Sequence, residues 1–206
     1  MAKITERNRG IYSLTHRVSK FLSRITRGAL AGPVVAAAVI LDPDAPLPEG
    51  LDDSKRLTAK QRERIGEELR QSALCHAVGL IGPEEIDRIN ILEATRRAML
   101  NALTKLSPRA DFVLIDALQL KECELPQRAI IRGDSISASI AAASVIAKTY
   151  RDRLMRELHD AYPHYNFAQH VGYGTRAHLA ALRQHGCCPI HRRSFRGVLP
   201  IAEPLQ

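Results

Sequence analysis

Residues 130–152 read Ile-Ile-Arg-Gly-Asp-Ser-Ile-Ser-Ala-Ser-Ile-Ala-Ala-Ala-Ser-Val-Ile-Ala-Lys-Thr-Tyr-Arg-Asp, and they constrain the fold more than any other stretch of the chain. A short apolar strand end runs through Arg132-Gly133 into a long helix, with one carboxylate, Asp134, at the joint. Ile136, Ile140, Ala143, Ala147, Tyr150, Leu154 and Leu158 recur at three- and four-residue steps, which predicts one continuous apolar stripe. The Ala and Ser residues between them keep the helix thin, so it can lie close against a sheet. An acid at its N-terminal end is favoured by the helix dipole.

Strands and helices alternate around this stretch. Residues 32–41 form an uninterrupted apolar run rich in β-branched residues, too short for a membrane span, and read as a buried strand. Residues 112–116, Phe-Val-Leu-Ile-Asp, end on an acid, the form of a buried strand that delivers a carboxylate to a sheet's C-terminal edge. Residues 75–81 predict a further strand. Thr58 with Gln61 fits a capping box that opens a helix to about Gln71. Gly82-Pro83-Glu84-Glu85 opens another, and Asn90 breaks or caps the chain before a helix over 91–106. A short helix is predicted from Arg176 to Gln184. Near the start, Ile11, Leu14, Val18, Leu22 and Ile25 fall at helical spacing among basic residues, which fits a basic amphipathic helix or a presequence; a strand over 18–22 is the alternative.

With 206 residues, 45% of them hydrophobic, the chain can bury one sizeable core with a small appendage. Lys and Arg number 30 against 22 Asp and Glu, a net +8 that favours a polyanionic partner. Much of the surplus sits early, in Lys3, Arg7, Arg9, Arg17, Lys20, Arg24 and Arg27, opposed there by Glu6. Cys75, Cys123, Cys187 and Cys188 lack metal-ligand spacing, and the expectation is a reduced, cytoplasmic setting. No apolar run reaches about 20 residues, so no membrane partner is expected. The N-terminus lacks a secretory apolar segment, and a monomer is expected.

Asp116 and Asp134, 18 residues apart, each end a strand-like run. Two hard oxygen donors at one sheet edge suit Mg²⁺ or Mn²⁺; ordinary capping is the alternative. Asp152 lies a further 18 residues on, roughly 27 Å along a helix, and reads as structural, pairing with Arg151 or Arg156. Tyr173 stands between Gly172 and Gly174, where its ring can stack on a sugar or base, or else fill a turn. His191, Arg192 and Arg193 offer phosphate contacts, or a solvated charge run. His164, His170, His178, His185 and His191 lack zinc-ligand spacing.

Several stretches together resemble bacterial ribonuclease HII. They are Arg27-Gly28-Ala29-Leu30-Ala31-Gly32-Pro33-Val34-Val35, Asp53-Ser54-Lys55, Val113-Leu114-Ile115-Asp116, Gly133-Asp134-Ser135 with Ser139-Ile140-Ala141-Ala142-Ala143-Ser144, residues 170–175, and His191-Arg192-Arg193-Ser194-Phe195. The resemblance implies an α/β, ribonuclease H-like fold, with a mixed five-stranded sheet flanked by helices and a C-terminal helical extension. On that basis the chain divides into a divergent basic segment over 1–20, a catalytic domain over 21–160 and an extension over 161–206. It further implies four carboxylates that use Mg²⁺ or Mn²⁺ to incise the RNA strand of RNA–DNA hybrids, or a single ribonucleotide in duplex DNA, leaving 3′-hydroxyl and 5′-phosphate ends.

By the same resemblance Asp116 and Asp134 are the third and fourth carboxylates, catalytic and metal-binding. Tyr173 packs on the deoxyribose beyond the junction; Lys55, Arg192 and Arg193 meet the duplex; and the turn that senses the 2′-hydroxyl falls on Thr26-Arg27-Gly28. Val171 replaces a Lys found in many members. The largest departure is Ser23-Arg24, where the family has Asp-Glu. Ser removes the ligand that bridges both ions, and Arg places a cation where a cation binds, so lost or reduced activity is expected. A non-catalytic binder of ribonucleotide-containing duplexes is the second expectation. A frameshift, mis-chosen start or engineered replacement of the N-terminal segment is the third.

Overall fold

The structure is a computed structural model; it describes residues 28–108 and 111–198 and the backbone of the strand Ser19–Ile25. Among the described residues a five-stranded sheet has the order β3-β2-β1-β4-β5. The strands are β1 (Ser19–Ile25), β2 (Val34–Leu41), β3 (Ala73–Ile81), β4 (Phe112–Asp116) and β5 (Gln127–Ile130). β1 pairs antiparallel with β2 and parallel with β4, and β4 pairs parallel with β5, so the sheet is mixed. Residues 19–25 are therefore extended, and the helical reading of the early segment fails there: cross-strand pairing on both sides overrides the helical spacing of Leu22 and Ile25. The rest of that reading lies outside the described residues.

The helices are α1 (Ala59–Ser72), α2 (Pro83–Ile89), α3 (Ile91–Thr104), α4 (Gly133–Ile136), α5 (Ala138–Ala161), α6 (Phe167–His170) and α7 (Arg176–His185). Thr58 closes the predicted capping box on α1: its N–H donates to Gln61 Oε1 at 2.9 Å, and the Gln61 N–H donates to Thr58 Oγ1 at 3.3 Å. Asn90 caps α3, its Oδ1 accepting from the N–H groups of Leu92 and Glu93.

The described residues fall into two compact units. One takes in parts of Met1–Ile25, Val35–Leu80 and Arg96–Thr149; the other takes in parts of Thr26–Val34, Ile81–Thr95 and Tyr150–Gln206. The first core joins Val35, Ala37 and Val39 of β2, Leu114 of β4, Ile65 and Leu69 of α1, and residues 140–147 of α5. Alanines at 141–143 and 147 let α5 lie flat, while Ile140, Val145 and Ile146 each contribute about 1.5–3 kcal/mol of burial. The second core gathers Leu30, Ala31, Met155, Tyr165, Phe167 and Leu182.

The predicted single helix is two helices, because Ser137 is extended (φ −114°, ψ 121°) and ends α4. The predicted stripe is also corrected. Ile140, Ala143 and Ala147 are buried, but Ile136 is 52% exposed and Tyr150 41% exposed. The buried line continues instead through Arg151 and Met155, both 0% exposed. An apolar pattern read alone misses this, since the residue that carries the line across one turn is an arginine.

Candidate active site

In the first unit, the end of β4 and the start of α4 bring Asp116 and Asp134 together. The Gly133 N–H donates to Asp116 Oδ1 at 3.2 Å, tying strand end to helix start. Asp134 sits in the first turn of α4, 5% exposed, and Arg132 rather than Asp134 is the N-cap residue. The capping alternative for Asp134 therefore does not hold. Burial pushes the Asp116 carboxyl above its ordinary range, and the charge of Asp134 adds to this, against opposition from the Gly133 N–H and Lys55.

Lys55 supplies the local positive charge. Its Nζ donates to Asp134 Oδ2 at 3.1 Å and stands 3.6 Å from Asp53 Oδ1. The turn that carries it is anchored by a 2.7 Å hydrogen bond between the Ser54 and Ser144 hydroxyls, and by Arg62, which donates to the carbonyls of Ser54 and Leu57. Burial opposes the Lys55 charge, yet the Asp134 hydrogen bond and charge, with Asp53 and Asp116, outweigh it and raise the lysine above its usual value.

The β1 register decides how complete this centre is. Leu22 pairs with Ile115, so Ser23, one residue on, is level with Asp116. Ser23 and Arg24 thus occupy the strand positions at which the resemblance calls for Asp and Glu. Two carboxylates can share one divalent ion, but a two-ion centre needs more oxygen donors. Among the described residues no group of three or more His, Cys, Asp or Glu side chains could hold a metal ion. The described residues alone do not make up a two-ion centre.

In the second unit, Tyr173 is 36% exposed beside a cleft of about 510 Å³ lined in part by Val171, Thr175 and Arg176. Gly172 has φ +83°, and a Cβ there would stand 2.6 Å from the Ala31 carbonyl oxygen, so only glycine fits. Its carbonyl accepts from the Leu30 N–H at 2.8 Å, and the Ala29 backbone bridges that of Tyr173, next to the exposed Gly28 in sequence. Arg27 lies outside the described residues.

Arg192 and His191 do not reach solvent, at 0% and 1% exposure, so their direct phosphate contact is corrected; Arg193 is exposed. Asp87 accepts from the backbone N–H groups of Arg193 and Ser194 at 2.8 and 2.9 Å, fixing that turn. The Arg192 guanidinium donates to the carbonyls of Gly32 and Pro33, and Arg151 donates to those of Ala31, Pro33 and Val171. Desolvating a guanidinium costs several kcal/mol, and charge-assisted bonds of about 1.5–3 kcal/mol each offset that, so the gain is in geometry more than stability. Burial lowers Arg151 to about 10, and burial with the Arg151 charge lowers Arg192 to about 9; both stay protonated at neutral pH. Asp152 is buried.

The sequence profile described as Ribonuclease HII matches residues 25–198. The chain belongs to the ribonuclease HII family. Ribonuclease HII of Desulfitobacterium hafniense (strain DSM 10664 / DCB-2) is 55% identical over 172 residues, covering 84% of this chain and 66% of that protein. Ribonuclease HII of Geobacillus kaustophilus (strain HTA426) is 51% identical over 200 residues, 96% of this chain and 76% of that one. The crystal structure of the ribonuclease H2 from Pyrococcus horikoshii OT3 superposes with a TM-score of 0.74 at 25% identity, covering 87% of this chain and 94% of that one. The ribonuclease H-like fold is thus shown. The ribonuclease HII profile begins one residue after Arg24, the second of the two departures. Sequence reasoning missed Arg151 as part of the Tyr173 region, and the only signal available was a charged residue at a buried helical position.

Proposed function

We propose that this chain recognises RNA–DNA hybrids and duplex DNA carrying a ribonucleotide in the manner of ribonuclease HII, and that its incision of the RNA strand is lost or greatly reduced. The observation that carries the reading is the register that sets Ser23 level with Asp116. Recognition is supported by the family membership, the net +8 charge and the exposed Tyr173 beside its cleft. Impaired scission is supported by the chemistry of the remaining groups. Asp134 is already bonded by the Lys55 ammonium, whose charge also acts on Asp116, which leaves at most a weak site for Mg²⁺ or Mn²⁺. The raised Asp116 also holds its negative charge less firmly than a free carboxylate.

The test is an incision assay on a duplex with one ribonucleotide, in Mg²⁺ and in Mn²⁺, comparing the chain with its Ser23→Asp/Arg24→Glu variant. The expected result is little or no incision by the chain and recovery by the variant, since both carboxylates return to a strand already paired between β2 and β4. Substantial incision by the unaltered chain overturns the reading. A non-catalytic binder is the second reading, favoured by Tyr173 being accessible whatever the state of the carboxylates; it predicts ribonucleotide-dependent affinity without cleavage, and equal affinity for plain DNA counts against it.

A further inference from the structure

The backbone polar groups of residues 171–173, which present Tyr173, are engaged by buried partners. The Val171 N–H donates to the Phe167 carbonyl, the Gly172 N–H to His170 Nδ1 at 3.3 Å, and the Tyr173 N–H to the His170 carbonyl at 2.9 Å. The Gly172 carbonyl accepts from Leu30, and the Tyr173 carbonyl accepts from His178 Nδ1 at 2.8 Å. The Val171 carbonyl accepts from Arg151 Nη1 at 2.7 Å.

Arg151 also ties this loop to the segment that follows Gly28. Its remaining nitrogens donate to the Ala31 carbonyl at 2.9 Å and the Pro33 carbonyl at 3.2 Å, in the segment that follows Gly28. Arg192 donates to the neighbouring Gly32 carbonyl at 2.9 Å and again to Pro33 at 3.1 Å. Arg151 also lies against the Tyr173 ring, its Cζ 5.9 Å from the centroid. A planar fork can hold three carbonyls in fixed directions; an ammonium on a flexible stem cannot.

We propose that Arg151, seconded by Arg192, is a positioning residue for ribonucleotide recognition, holding the segment that follows Gly28 against the Tyr173 loop through the carbonyls it bonds. The inference rests on the reading that Tyr173 meets the nucleic acid. Both guanidiniums are buried. Both act through backbone, by holding the loop that carries Tyr173 in one position for the sugar it meets.

The experiment measures the full chain's affinity for a duplex with one ribonucleotide and for an all-DNA duplex of the same sequence. It compares the unaltered chain, Arg151→Lys, Tyr173→Ala and the double variant, with thermal melts as a check of folding. The expected result is a preference for the ribonucleotide that falls about tenfold in Tyr173→Ala and by a similar factor in Arg151→Lys. The double variant falls no further than Tyr173→Ala alone, because the arginine works through the ring. Unchanged preference in Arg151→Lys, or losses that simply add, overturns the positioning role while leaving Tyr173 in place. Unchanged preference in Tyr173→Ala overturns the underlying reading and the proposal with it. Should Arg151→Lys fail to fold, Arg192→Lys takes its place in the same cycle; if both fail to fold, the arginines are structural and the proposal is wrong.

Discussion

Lys55 Nζ lies 3.1 Å from Asp134 Oδ2, so the buried acid of α4 already has a cation before any metal arrives. Lys55 is thus a competitor of Mg²⁺ or Mn²⁺ as well as a group that can meet a phosphate. Its side chain is 75% exposed, and solvent screens the pair, so the competition is modest. Lys55→Gln is expected to tighten Mn²⁺ binding several-fold in calorimetric titration at low salt, and to weaken hybrid binding by one phosphate contact. Unchanged Mn²⁺ affinity would show that the ammonium does not compete.

The joint between β5 and α4 depends on the absence of a side chain at Gly133. A Cβ there would stand 2.5 Å from Ile140 Cδ1, the flexible end of a buried side chain. Gly133→Ala is therefore expected to cost about 1–2 kcal/mol in urea unfolding, the scale of modest overpacking. Ile140→Val removes Cδ1 and costs about 1 kcal/mol alone. Combined, the two should cost less than their sum by at least about 0.5 kcal/mol, since each relieves the other. Strict additivity would place the strain elsewhere and leave the position of Asp134 without this explanation.

Elements with a local cause could be read in advance. β4 ends on Asp116 as its run of apolar residues predicts, and the Thr58–Gln61 capping box opens α1. The break at Ser137 could not be read, because Ser, Ala and Ile across that point are all compatible with helix, and yet Ser137 is extended. β1 was ambiguous for a related reason: its basic, helix-spaced sequence becomes a strand only because β2 and β4 offer paired edges on both sides. Asp116 and Asp134 were legible as a pair, each standing at the end of a strand-like run. The support that Arg151 and Arg192 give to the Tyr173 loop was not, since a guanidinium that bonds carbonyls far away in sequence leaves no local pattern.

The proton arrangement beneath Tyr173 makes stability depend on pH in a defined window. His178 Nε2 and His191 Nε2 are 3.0 Å apart, so one must carry a proton and the other accept it. The Cys188 N–H donates to His191 Nδ1 at 3.0 Å, which assigns the His191 proton to Nε2; His178 then carries its proton on Nδ1, donating to the Tyr173 carbonyl. Both imidazoles are neutral in this chain of bonds. Burial lowers His178 to about 4, and burial with the neighbouring His178 charge lowers His191 to about 4. His170, stacked on His178 at 4.5 Å, is lowered by burial as well. The unfolded chain takes up protons near pH 6.5 that the folded chain refuses until about pH 4. The stabilisation is thus full above about pH 6.5 and declines as pH falls toward 4, the two bonded imidazoles titrating as a pair. Urea midpoints between pH 7 and pH 5 should fall accordingly, and His191→Phe, which removes one of the two coupled imidazoles, should flatten the slope. An unchanged slope in that variant would mean that the pH dependence arises from other groups.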